Sequence, residues 1–162
     1  KANIQLQLDA GCEVVMIFDT AAGEASPRFY QEVVVPELEK LMVEFKGRLG
    51  YYAKGVQPAH LKHKVFQEGH QWAGLGYDHR WNLSEILPQT KTGFVQGNFD
   101  QALLFLPEND FAVWVQKYLE PLRQLSIEER CGWVSGLGHG VLPKTPEKNV
   151  RKLIQTIREV LA

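Results

Sequence analysis

Apolar positions along this chain recur in two rhythms, and the rhythms alternate. Glu13-Val14-Val15-Met16-Ile17-Phe18-Asp19 is a short apolar run between a glycine-containing turn and a small-residue loop, Thr20 to Ala25. Such a run is the pattern of a strand buried on both faces. From Ser26-Pro27 the spacing changes, and Phe29, Val33, Leu38, Leu41, Met42 and Phe45 recur close to every 3.6 residues. Serine followed by proline is an N-cap and first helical residue, and Pro36 inside the run predicts a kink. The alternation then repeats. Strands are predicted over 49–53, 72–77, 92–96 and 133–137. Helices are predicted over 58–67, 83–87 and 110–125, the last bent or broken at Pro121. A final helix is predicted from Thr145-Pro146, with Thr145 as N-cap and Val150, Leu153, Ile154, Ile157, Val160 and Leu161 on one stripe.

The first eleven residues read as the last turns of a helix: Ile4 and Leu8 are four apart, and Gly11 sits at the C-cap. The chain begins at Lys1 without methionine. The expectation is a fragment, with a cleaved leader as the alternative.

Five strands alternating with helices predict a parallel α/β sheet with right-handed crossovers. Two architectures fit: an open doubly wound sheet, or part of a (β/α)8 barrel. The turn after the first strand, Phe18-Asp19-Thr20-Ala21-Ala22-Gly23, is not the G-x-G-x-x-G of a dinucleotide-binding sheet. Polar residues stand instead at nearly every strand's C-terminal end: Asp19-Thr20, Lys54, Asp78, Gln96-Asn98 and His139. A barrel's catalytic face has that character, although loops are polar wherever they begin. The pattern favours the barrel. No Ser/Gly linker, charge block or repeat divides the chain, so residues 1–162 form one segment.

Composition narrows the partners. The 162 residues are 44% apolar and 23% charged, ordinary for a globular protein, with 18 Lys+Arg against 19 Asp+Glu. A net charge of −1 lacks the basic excess of a nucleic-acid binder. No apolar run reaches the roughly 18 residues that span a bilayer, and no signal-peptide pattern opens the chain. Cys12 and Cys131 cannot build a secreted disulfide framework. A cytoplasmic protein without nucleic-acid or membrane partners is expected.

Four local sequences, in order along the chain, carry a resemblance. Phe18-Asp19-Thr20-Ala21-Ala22-Gly23 with Ser26-Pro27 resembles the Phe-[Asp/Glu]-Ser-x-Ala-Gly segment of uroporphyrinogen decarboxylases. Lys54-Gly55 matches a Lys-Gly at that family's corresponding strand end. Gln96-Gly97-Asn98-Phe99-Asp100 resembles its Gln-Gly-Asn-Leu-Asp-Pro loop. Most specific is Gly136-Leu137-Gly138-His139-Gly140-Val141-Leu142-Pro143, then Thr145-Pro146 and Asn149-Val150, which resembles Asn-Leu-Gly-His-Gly-[Ile/Leu]-x-Pro…Thr-Pro-x-x-Asn-Val. Departures are small: Thr20 stands for Ser and keeps the hydroxyl, Gly136 for Asn, and Gln101 for Pro. Asp78-His79-Arg80-Trp81 is expanded relative to an Asp-Trp.

The resemblance implies a single-domain (β/α)8 barrel, of which this chain corresponds to the C-terminal part, about five βα units. It implies decarboxylation of the four acetate side chains of uroporphyrinogen to give coproporphyrinogen, in tetrapyrrole and haem biosynthesis. It also implies a homodimer in the cytoplasm that uses no metal or organic cofactor. The family's substrate-clamping arginines, central aspartate and an active-site tyrosine belong to the N-terminal half and have no counterpart here. No catalytic residue is therefore expected in the chain, which by itself should be inactive. Substrate-binding roles carry over to His139, as a donor to a substrate carboxylate between two glycines that let backbone approach the ligand, to Thr20 as a small hydroxyl donor, and to Phe18 along the pocket wall. Lys54 is a weaker candidate.

Other features have plainer readings. His60-x-x-His63 has helical metal-ligand spacing, but Lys62 and Lys64 surround it and a solvated helix face is the stronger expectation. Cys131 reads as a packing residue beside a strand, and Trp72, Trp81, Trp114 and Trp133 as core or subunit interface. Two alternatives stay open. One is a related corrinoid methyltransferase, which would hold zinc through Cys and His at strand ends, where no cysteine lies. The other is a non-catalytic half-barrel assembly module, whose exposed strand edges would demand pairing.

Overall fold

In the computed structural model, which describes residues 1–67 and 69–161, five strands lie side by side in the order in which the chain makes them. They are β1 (Val15–Asp19), β2 (Leu49–Ala53), β3 (Gly74–Gly76), β4 (Phe94–Phe99) and β5 (Trp133–Leu137), every adjacent pair parallel. An open doubly wound sheet reverses its strand order at a switch point. This sheet runs β1-β2-β3-β4-β5 without reversal, which is the order of an arc of a (β/α)8 barrel. The expected fold class holds. Among the described residues no helix is long and apolar enough to cross a membrane.

Alternation along the strands sorts their side chains. Val15, Leu49, Tyr51, Leu75, Val95 and Phe99 are buried against the outer elements. Met16 and Phe94 lie on the other face, over Gly50 and Gly74 of their neighbours. The buried residues form two clusters. One joins β1 and β2 to Tyr30, Val35 and Leu38. The other joins β4 to Phe111, Val115, Leu119 and Leu122 of α5 (Glu108–Arg123) and to Leu153 of α7 (Glu147–Leu161). Tyr77 packs on both.

The helices follow their local chemistry. α1 (Ala2–Asp9) ends in a Schellman turn, where the N–H groups of Gly11 and Cys12 reach the carbonyls of Leu8 and Gln7. Ser26 caps α2 (Pro27–Phe29), its Oγ accepting from Phe29 N at 3.3 Å. The predicted kink takes the form of a π turn over Tyr30–Val34, which leads directly into α3 (Val35–Glu44). Pro36 then falls in the first turn of α3, where its missing N–H costs little. α5 runs through Pro121 without interruption.

Four expectations need correction. Residues 58–67 form turns and a single 3-10 turn at Lys64–Phe66, not a helix. The cause is His60, which is buried: its Nδ1 accepts from Gln57 N at 3.1 Å and its Nε2 donates to the Ala25 carbonyl at 2.9 Å. A buried ring that claims a nearby backbone donor competes with helix formation. The fourth strand starts later than predicted, at Phe94, and runs three residues further, through Gly97-Asn98-Phe99, because these pair with Ser135, Gly136 and Leu137 of β5. β3 is shorter than predicted. Thr145 does not cap α7; its hydroxyl donates to the Leu142 carbonyl at 2.6 Å, and the helix begins at Glu147.

Candidate functional site

The five C-terminal strand ends carry the residues singled out by sequence, and backbone contacts lock them to one another. After β1, Gly23 N donates to the Lys54 carbonyl at 2.9 Å, and a Cβ at Gly23 would lie 2.5 Å from the Gly55 backbone. After β2, Gly55 N donates to the Asp78 carboxylate at 2.7 Å. After β3, the Asp78 carbonyl and the Trp81 carbonyl accept from the Asn98 amide at 2.8 and 2.6 Å. After β5, Gly138 N donates to the Phe99 carbonyl at 2.7 Å. The Tyr52 hydroxyl closes the frame, donating to the Gly138 carbonyl at 2.6 Å. Burial, reinforced by the Asp78 charge and opposed by Arg80, pushes the Tyr52 hydroxyl up to about 12, so it stays a donor near neutral pH.

Most of the motif residues are therefore frame. Gly138 packs its backbone on the loop after β3: a Cβ there would lie 2.5 Å from the backbone nitrogen of His79. Gly140 has nothing within 4 Å of such a Cβ and stays open. Asn149, from the last motif, is buried and ties α7 to the segment after β4 through the carbonyls of Leu104 and Leu106 at 2.8 and 3.1 Å.

The three candidate binding residues sit on this frame rather than in it. Phe18 is 61% exposed, its ring 5.6 Å from that of Tyr52. Thr20 is exposed and His139 half-buried. The Tyr52 bridge links Phe18 to the loop of His139 across a mouth at the strand ends; Thr20 follows Asp19 at the C-terminal end of β1. Two hollows have other linings. One of about 400 Å³ opens between α5 and α4 (Leu83–Ile86), with Phe99, Trp114 and Tyr118 on its walls. The other, about 850 Å³, lies between the 58–67 segment and residues 86–95. Neither is lined by Phe18, Thr20 or His139.

Beneath Thr20 the Asp19 carboxylate is held from below. Tyr51 donates its hydroxyl to Asp19 Oδ2 at 3.0 Å, and Ala21 N donates to Oδ1 at 3.2 Å. Tyr51's single proton being used, Tyr30 donates to the Tyr51 oxygen across 2.6 Å. Burial chiefly pushes Tyr30 up to about 12 and Tyr51 higher still. Their unfolded-state value is about 10, so this stability is whole below pH 10 and declines as pH rises from there towards 12. Tyr30 alone should lose about 1.4 kcal/mol by about pH 11. Denaturant melts on either side of pH 10, with and without Tyr30→Phe, measure it; equal pH slopes would refute it.

The remaining candidates resolve simply. His60 is not on a solvated helix face, and both its ring nitrogens are engaged. His63 Nδ1 faces its own backbone at Val65 N, 3.4 Å away. Cys12 and Cys131 are exposed and precede β1 and β5, at the end of the sheet opposite the mouth. Trp72 is core, donating to the Val65 carbonyl at 2.8 Å, and Trp133 donates to the Gly97 carbonyl at 2.8 Å. Trp114 is exposed beneath the Lys117 ammonium. Sequence reasoning missed Tyr52, which periodicity marked only as a strand residue, and left Asp78 without a role.

Known proteins match this sequence. The family model described as uroporphyrinogen decarboxylase (URO-D) matches residues 1–160. The chain is 30% identical to a uroporphyrinogen decarboxylase of Chlamydia muridarum, over 97% of this chain and 46% of that protein. It is 31% identical to one of Thermus thermophilus, over 98% and 45% respectively. A Chloroflexus aurantiacus protein of the same name is 32% identical, over 94% and 42%. The chain thus spans about half the length of the curated relatives it matches.

Proposed function

Because the chain belongs to the uroporphyrinogen decarboxylase family, we propose that its strand-end mouth binds the carboxylates of uroporphyrinogen during conversion to coproporphyrinogen. The observation that supports this most is the frame itself. The segments that resemble the family interlock at the C-terminal strand ends, where Phe18, Thr20 and His139 also lie in sequence.

In the reaction, each acetate side chain loses CO2. The electron pair of the breaking C–C bond passes onto the α-carbon and is taken up by a protonated pyrrole ring; a proton then adds to that carbon to leave a methyl group as the ring gives up its own proton. The protein's contribution is to hold carboxylates in place and deliver protons. His139 donates a hydrogen bond to a carboxylate, charge-assisted when the imidazole is protonated. Thr20 donates a neutral one, and Phe18 packs against the macrocycle beside Tyr52. The working protein is a cytoplasmic homodimer acting without metal or organic cofactor.

Titrating the chain with uroporphyrin, the fluorescent oxidised form of the substrate, tests the site, and product analysis with uroporphyrinogen tests the chemistry. The chain is expected to bind uroporphyrin and to release no coproporphyrinogen, since it carries the binding residues alone. Thr20→Val should weaken binding by about three- to tenfold, the worth of one neutral hydrogen bond, and Thr20→Ser should be silent. No saturable uroporphyrin binding would sink the reading.

A further inference from the structure

Arg80 is the cation that the family resemblance does not assign, in the stretch where this chain departs from the family pattern. It follows β3 at the mouth and leans on Asp78, which is 1% exposed. Its backbone N–H donates to Asp78 Oδ1 at 2.9 Å and its Nη1 to Oδ2 at 2.6 Å. Oδ2 also accepts from Gly55 N. The carboxylate thus has two backbone donors besides the guanidinium, yet the Arg80 side chain stays 53% exposed. A guanidinium carries five N–H donors in a rigid fork. With one N–H anchored on a buried carboxylate, the fork is fixed in direction and its other edge is free to meet a second oxyanion. The same loop reaches the rest of the mouth: His79, next to Arg80, packs its backbone on Gly138, the residue before His139.

We propose that Arg80 is a substrate-binding residue, a preorganised guanidinium that takes one carboxylate of the octacarboxylate macrocycle alongside His139. This rests on the reading of the mouth given above. The plainer role, neutralising Asp78, leaves the exposed edge unexplained. Binding through that edge makes affinity depend on ligand charge and on salt, which a purely structural prop does not.

Uroporphyrin, with eight carboxylates, and coproporphyrin, with four, are titrated by fluorescence against the protein, Arg80→Gln and Arg80→Lys at low and high salt. Thermal melts run in parallel. Arg80→Gln is expected to bind uroporphyrin about three- to tenfold more weakly, a discount for its half-exposed position. Its salt dependence should be shallower and its preference over coproporphyrin smaller. Arg80→Lys, which keeps the charge and loses the fork, should fall between. Wild-type affinity and salt slope in Arg80→Gln would overturn the proposal. So would loss of a cooperative melt in both variants, which would make Arg80 a prop for Asp78. If the unaltered protein fails to bind uroporphyrin, the reading of the mouth falls first and Arg80's role falls with it.

Discussion

Replacing His139 by asparagine is expected to slow decarboxylation about ten- to a hundredfold in kcat/KM without unfolding the protein. The magnitude is that of one charge-assisted hydrogen bond to a carboxylate, about 1.5–3 kcal/mol. Asparagine keeps a donor of similar reach and removes the protonatable ring. The fold should tolerate it because the frame uses the backbone of Gly138, through Phe99 and Tyr52, and not the imidazole beside it. Rates are to be measured in a protein carrying this segment within a full (β/α)8 barrel, and uroporphyrin affinity in the chain itself. Both should fall together, since a group that only binds carboxylate acts on substrate and transition state alike. An unimpaired His139→Asn variant would remove the residue from the site.

Periodicity made the strand order and the long helices legible because each is a local signal: an apolar run, a 3.6-residue stripe, a Ser-Pro cap. Three of the failures share a cause. The 58–67 segment carries helical spacing, yet His60 turns inward and binds Ala25, 35 residues away. Gly97-Asn98-Phe99 reads as a loop, yet backbone pairing with β5 extends the strand. Tyr52 shows nothing locally, and its bond to Gly138 spans 86 residues. Long-range hydrogen bonds overrode local preference in each case. At the strand ends, the motifs did not separate two kinds of residue. Gly23, Gly55, Asn98 and Gly138 hold neighbouring loops together, whereas Thr20, His139 and Phe18 take no part in those hydrogen bonds.

That division makes the two glycines flanking His139 behave differently. Gly138→Ala should cost about 2–4 kcal/mol of stability, because its new Cβ would sit 2.5 Å from His79 N and 2.9 Å from the His79 Cβ. Neither side has room to give. The His79 loop is held through Asp78 by Gly55 and through its carbonyls by Asn98. Gly138 is itself held at both its N–H and its carbonyl, by Phe99 and Tyr52. Gly140→Ala meets nothing within 4 Å and should stay within about 0.5 kcal/mol of the unaltered protein. Gly140→Ala should instead lower uroporphyrin affinity if backbone there approaches the ligand. Denaturant melts and uroporphyrin titrations on the two variants separate frame from site. A Gly138→Ala protein as stable as Gly140→Ala would mean that the loops after β3 and β5 are not interlocked, and the frame on which His139 is placed would have to be abandoned.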